Sequence, residues 1–307
     1  PKRFSARASR PGRWRASSRS PKPSAASNWY TFPVSKYYKP HRKTDWNYGG
    51  PNWRLSRSKI DLFVECKRCF YVDNKLGTAR PPGFPFSLNA AVDRLLKKEF
   101  DGHRTAGTPH PLMKAYKLEL VPFKDPRMDV WRENFKGVQT EHTPTGFTVS
   151  GAIDDLWVDG KGTVYVVDYK ATAKDGEVSL DADWQDGYKR QMEIYQWLLR
   201  ENGLRVSDTG YFVYVNGRTD REAFNGKLEF DAKIIPYVGS ADWLPGVLAD
   251  IKKCLVSDVI PETGPSCDYC TYREAAGKAL TAQYSKTVTV KTKKQSSQSN
   301  SSTPSLF

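Results

Sequence analysis

Apolar positions recur along this chain with two different periods, and the change of period marks its elements. In KIDLFVECKRCFYV, after Arg57-Ser58, the residues Ile60, Phe63, Val64 and Tyr71 fall at helical spacing, and Ser56 or Ser58 can cap the helix. Pro81–Pro85 reads as a loop. In SLNAAVDRLLKKEF, the residues Leu88, Val92, Leu95, Leu96 and Phe100 form one stripe of a second amphipathic helix. Residues 101–146 are less regular, with a strand expected at Ala115–Val121 and a short helix at Met128–Phe135. The period then shortens to two. Gly146–Val158 and Thr163–Ala171 read as strands around the hairpin turn Asp159-Gly160-Lys161-Gly162. Asp183–Arg200 returns to the helical period, with Tyr188, Met192, Tyr195 and Leu199 on one stripe and Gly203 just beyond. Thr209–Val215 is a further strand, Asn216-Gly217 a turn signal, and Lys227–Ile235 contains another strand. A helix near Ala241–Val256 closes the series. This order predicts an α/β fold with a mixed central β-sheet flanked by helices.

The segment VYVVDYKATAK (Val164–Lys174) breaks its own pattern. Val164, Val166, Asp168 and Lys170 share one face of the strand; Tyr165, Val167 and Tyr169 share the other. Both faces begin apolar, as in a strand covered on two sides. Aspartate and lysine are rarely buried unless paired or put to use. The hairpin brings a second carboxylate close. A two-residue turn at Gly160-Lys161 sets Asp154 opposite Val167, and a loop centred on Lys161 sets it opposite Asp168. Two like charges so placed repel, and a divalent cation relieves the repulsion. Such an ion polarises a phosphoryl group and acidifies bound water, and a neighbouring lysine can orient that water or stabilise developing charge.

Charge divides the chain of 307 residues. The net charge is +14, yet residues 1–58 alone hold fourteen Lys or Arg against one acid, Asp45. The segment 286–307 adds four lysines and no acid, so residues 59–285 lean acidic. The expected organisation is a disordered basic arm over 1–53, a folded domain over 54–285 and a disordered tail over 286–307. Trp14, Trp29, Tyr30, Tyr37, Tyr38 and Trp46 are scattered among the positive charges of the arm. Basic groups attract phosphates and rings stack on bases, so nucleic acid is the partner this composition suits; a plain solvated arm is the alternative. No apolar run has the length of a membrane span, and a cytoplasmic location is expected.

Three motifs in order, GAIDD (Gly151–Asp155), VVDYK (Val166–Lys170) and QMEIY (Gln191–Tyr195), resemble the PD-(D/E)XK nuclease superfamily, and within it the RecB-like nucleases. The resemblance covers roughly residues 56–276 and implies the restriction-endonuclease-like fold. It implies that Asp154 and Asp168 bind Mg²⁺ or Mn²⁺, that the backbone carbonyl of Tyr169 completes the metal shell, and that Lys170 is catalytic beside Asp168 and Asp154. Gln191 and Tyr195, one helical turn apart, would line the site and hold DNA. Asp155 points away from Asp154 and reads as a structural or surface acid. The family usually places a metal-binding histidine on the helix at 88–100; here the matching position is Asp93, with Asn89 the other candidate.

Four of five cysteines form two C-x-x-C pairs, Cys66/Cys69 and Cys267/Cys270, a plausible tetrathiolate site. RecB-like nucleases often carry a [4Fe-4S] cluster with one cysteine before the core and three after. Cys66, Cys267 and Cys270 match that layout, the usual last position falls near Ala276, and Cys69 could supply the fourth thiolate. This two-plus-two arrangement leaves Zn²⁺ and an iron–sulfur cluster both open. Cys254 reads as a small core residue, and the four histidines show no metal-binding spacing. The reading is a metal-dependent DNA nuclease, exonuclease-like on single strands or duplex ends, in repair, recombination or defence. The alternative is an inactive nucleic-acid-binding or assembly subunit. No phosphate-binding motor motif is present, so any helicase would be a separate partner.

Overall fold

The computed structural model describes residues 38–83 and 87–298. A mixed sheet of five strands runs through it in the order β2 (Leu120–Pro122), β5 (Asp155–Asp159), β6 (Val164–Thr172), β7 (Thr209–Gly217), β8 (Phe230–Val238). Neighbours are antiparallel except β6 and β7, which run parallel. Strand β6 is apolar on both faces because both are covered. Val164 and Val166 join the main core with Met192, Ile194 and Leu198 of helix α6 (Asp186–Glu201). Val167 and Tyr169 join a second core with Trp157, Val213 and Phe100 of helix α3 (Ser87–Ala106).

The hairpin loop settles the register. Asp155 pairs with Val167, Leu156 with Val166 and Val158 with Val164, so the loop centres on Lys161. Gly162 takes φ +76°, a left-handed conformation that a side chain would strain. Carried one step further, this register sets Asp154 opposite Asp168.

The single strand expected over 146–158 is two. Strand β4 (Phe147–Gly151) belongs to a second sheet, in which it lies between β1 (Leu55–Ser56) and β3 (Val138–His142). The chain leaves that sheet at Ala152 and enters β5 at Asp155. Asp154 therefore sits just outside a ladder. Strand β3, VQTEH, was not legible because only Val138 is buried along it. The expected turn at Asn216-Gly217 is also absent; both residues stay in β7, opposite Asp231 and Phe230.

The first predicted helix is broken at Cys66. This residue is extended, with φ −159° and ψ 103°, and caps both α1 (Arg57–Glu65) and α2 (Lys67–Asn74). Along α3 the apolar stripe is only half used: Phe100 is buried, whereas Leu88 and Leu95 face solvent. The strand expected from Ala115 shrinks to β2, with Ala115 closing a short helix α4 (Pro111–Ala115). Helix α5 (Met128–Arg132) stops short of Phe135. Helix α7 spans Leu244–Val256.

Both disordered ends need correction. Residues 38–53 are folded onto the domain: Tyr38 Oη donates to Ala79 O at 2.5 Å, Arg42 pairs with Asp73, and Trp53 Nε1 donates to Asn74 Oδ1 at 3.1 Å. Tyr48, Trp53 and Phe147 stack edge to face. Buried aromatic area outweighs the local charge here. Helix α8 (Asp268–Gln298) runs through most of the expected tail. The remainder of the arm, with Trp14, Trp29, Tyr30 and Tyr37, lies outside the described residues, as do residues 299–307. Among the described residues, no helix is long and apolar enough to cross a membrane.

Candidate active site

Strand β6 carries Asp168 and Lys170 on the face toward α6. Asp168 is fully buried. Its Oδ1 accepts a hydrogen bond from Gln191 Nε2 at 2.5 Å, and its Oδ2 touches the Lys170 ammonium without a properly directed hydrogen bond. Lys170 Nζ also lies 4.4 Å from the centre of the Tyr188 ring. Gln191 also reaches forward one helical turn, donating to Tyr195 Oη at 3.3 Å.

Asp154 joins this group from the start of β5. Its Oδ2 accepts the Tyr169 backbone N–H at 3.1 Å, and its Oδ1 meets Lys97 Nζ at 3.0 Å. Lys97, on α3, also meets Asp93 at 2.9 Å and so bridges the two carboxylates. The sequence shows Lys97 only as a neighbour of Asp93 at i, i+4 spacing; its contact with Asp154 comes from the fold. Asn89 is turned differently, donating to Ala171 O at 2.8 Å. Thus the fold brings Asp93, Asp154, Asp168, Lys170, Gln191 and Tyr195 together. Tyr169 contributes a backbone N–H there, while its ring goes to the other face.

The two facing carboxylates titrate apart. Burial, then the nearby Asp154, pushes Asp168 up to about 7, against the pull of Lys170. Burial also opposes ionisation of Asp154, but Lys97, Lys170 and the Tyr169 N–H outweigh it and hold that carboxyl below its ordinary range. One group ready to ionise beside another that resists suits a site completed by a cation. Asp168 Oδ2, buried with no hydrogen bond of its own, is the atom such an ion would satisfy.

Asp155 has a different task. It is fully buried on the opposite face, bound by Arg104, by Arg132 Nη2 at 2.9 Å and by Tyr169 Oη at 2.5 Å. Arg132 Nε also donates to Asp154 O at 2.8 Å, which ties this network to the backbone of the site.

The motif glycine is explained by contact. A Cβ on Gly151 would stand 2.6 Å from Tyr195 Cε1. Gly151→Ala is therefore expected to push the Tyr195 ring aside and weaken its bond to Gln191. A melting temperature lowered by a few degrees would show this; an unchanged melting temperature would refute it.

Open hollows meet at the carboxylates. Asp154, Gln191 and Tyr195 line one of about 400 Å³ together with Arg57 and Lys136. Asp93, Asp154 and Lys170 line another of about 300 Å³.

The four paired cysteines converge at the other end of α1. Their Sγ atoms all lie within 4.8 Å of one another, with Cys69 3.5 Å from Cys270 and 3.6 Å from Cys267, and Cys66 3.8 Å from Cys270. The Gly264 N–H bonds Cys66 Sγ at 3.2 Å and Arg80 Nη2 bonds Cys267 Sγ at 3.3 Å. Burial raises the Cys66 thiol, but the N–H groups of Gly264 and Cys69 outweigh it and bring it down to about 6. The cluster can hold a metal. Cys254 lies elsewhere, half-buried against the main core.

No curated protein matches this chain. Among solved structures, one titled "Crystal structure of SSO0001" is similar at 15% identity with a TM-score of 0.30, over 67% of this chain and 77% of that one. The profile of the PD-(D/E)XK nuclease superfamily matches residues 87–275, a span that holds Asp93, Asp154, Asp168, Lys170, Gln191 and Tyr195. The chain belongs to the PD-(D/E)XK nuclease superfamily.

Proposed function

We propose that this protein is a RecB-like, Mg²⁺- or Mn²⁺-dependent deoxyribonuclease that hydrolyses phosphodiester bonds, exonuclease-like, in DNA repair, recombination or defence. The observation that carries this reading is the buried Asp168 facing Asp154, with Asp168 Oδ2 unbonded except for the Lys170 ammonium. Asp154 and Asp168, with Asp93 across the hollow, are the residues that would hold the ion. When bound, it would polarise the scissile phosphate and make water a better nucleophile. Lys170 is placed to orient that water or to neutralise charge on the phosphate. Gln191 fixes the direction of Asp168, and Tyr195 backs Gln191.

The test is incubation of the protein with end-labelled single- and double-stranded linear DNA and either metal. Metal-dependent cutting is expected, and the product ladder separates exonuclease from endonuclease action. One observation favours a second reading: Lys97 already bridges Asp93 and Asp154, as a cation would. If DNA binds equally with and without Mg²⁺ and stays intact, the protein is a binding or assembly subunit.

For the cysteine site we assign a single Zn²⁺. Thiolates at about 2.3 Å around one tetrahedral ion stand roughly 3.8 Å apart; three of the six Sγ separations here are 3.5–3.8 Å, and all are within 4.8 Å. A four-iron cluster places each thiolate on a separate iron and spreads the sulfurs further. Metal analysis should give one zinc per chain. A Cβ on Gly264 would collide with Glu65 O, so Gly264→Ala should release the zinc. Iron and sulfide in the purified protein would overturn the assignment.

A further inference from the structure

The hollow at Asp154 does not end there. It shares Ser56, Ser58, Phe135 and Ser150 with a larger one of about 910 Å³. The larger hollow is lined by Arg42, Trp46, Arg54, Lys59 and Arg80 among others. Together they make one continuous groove leading away from the carboxylates.

Two features of this groove are unexplained by folding. The first is Phe135. It stands at the turn between α5 and β3, is 91% exposed, and makes no ring contact among the described residues. Its φ of +72° lies in the left-handed region that a bulky residue rarely adopts. A strained, solvated aromatic ring at the point where two hollows meet gains nothing from its own fold. Backbone strain of this kind concentrates where a ligand is handled.

The second feature is unbalanced positive charge. Arg42, Arg80 and Arg190 are paired with Asp73, Glu65 and Asp61. Arg54, Arg57 and Lys59 form no ion pair with a carboxylate among the described residues, and Arg57 instead meets the Tyr195 hydroxyl. Lys59 Nζ instead donates to Arg54 O at 2.7 Å and lies over the Trp53 ring. Burial and then Arg42 bring its ammonium down to about 7. An anion brought against Lys59 would restore its charged form.

We propose that this groove binds one unpaired nucleic-acid strand, with Phe135 stacking on a base and Arg54, Arg57 and Lys59 following the phosphates toward Asp154. The destination of that strand rests on the nuclease reading above. Rings stack on bases only when the bases are unstacked and free, which selects a single strand over a duplex. Regularly spaced cations serve its backbone. The protein's own arm is a poor occupant, because residues 1–37 carry nine Lys or Arg and no acid.

The test is fluorescence anisotropy with labelled oligothymidylate, oligouridylate and a duplex, using the full chain with Lys170→Ala as parent so that the strand survives. Phe135→Gly in that parent should weaken single-strand binding by roughly tenfold to a hundredfold, and duplex binding much less. Its melting temperature should not fall, because glycine suits φ +72°. Phe135→Trp should bind like the parent, and Arg54→Glu should weaken binding while reducing its salt dependence. Oligouridylate binding as tightly as oligothymidylate would mean that the groove reads bases and phosphates without regard to the sugar, as proposed. Unchanged single-strand binding by Phe135→Gly overturns the proposal, as does equal competition by polyglutamate. Failure of the nuclease reading is seen separately: wild-type protein would leave every strand uncut while these binding differences persist.

Discussion

Lys170→Ala is expected to reduce metal-dependent DNA cutting by roughly a hundred- to ten-thousandfold while leaving the protein folded. The side chain lies toward the C-terminal end of β6 and is only 14% exposed. Its ammonium serves Asp168 and the Tyr188 ring, and Asp168, which burial already favours in its protonated form, can stand without it. Asp168→Asn should lose at least as much activity, since on the proposed reading it removes the buried charge that would hold the ion. Cutting that survives both changes would place the chemistry elsewhere.

The same aspartate gives a pH signature in the absence of metal. Its folded carboxyl titrates near 7, well above an unfolded aspartate at about 3.9. Between these values the folded state binds the extra proton, so stability from this group falls as pH rises. The difference amounts to at most about 4 kcal/mol. Asp154 works the other way: held low, its contribution is present above about pH 4 and fades on acidification. Melting in chelator should show wild-type protein losing ground to Asp168→Asn between about pH 4 and about pH 7. A constant difference between them would contradict the placement of a buried, proton-holding carboxyl at 168.

The second large effect is expected at Asp155. Asp155→Ala should destabilise the fold by about 3–5 kcal/mol, because it strands two mostly buried guanidinium groups and the Tyr169 hydroxyl. Asp101 moderates the loss, since it also binds Arg132 at 2.8 Å and Arg104 at 3.0 Å. Urea unfolding measures the change. A loss below about 1 kcal/mol would mean that this network is solvated and only incidental. Arg132→Ala should also disturb cutting, through the lost bond to Asp154 O, with a larger fall in kcat than in stability-corrected binding of DNA.

Much of the site could be read locally. Asp168 and Lys170 share a face because strand side chains alternate, whatever surrounds them. Gln191 and Tyr195 share a face because a helix turns once in four residues. The order of the three motifs, and the concentration of positive charge in the ends, lie in the sequence itself. The folding of 38–53 did not show, because Tyr48 and Trp53 look like any aromatic residues of a basic arm until Phe147 and Asn74 are beside them.

What the sequence by itself determined was therefore periodic: which residues share a strand face or a helix stripe, and in what order the elements come. Only the tertiary structure decided which of two hairpin registers sets Asp154 against Asp168, and Gly162 in its left-handed conformation is the local reason. It brought the two C-x-x-C pairs within 4.8 Å as their spacing had suggested, and it alone brought Arg104 and Arg132 to Asp155 and laid Lys97 between Asp93 and Asp154. Backbone geometry dictates contacts a few residues apart. Contacts across many residues form only when the burial of two cores around β6 fixes where each element lies.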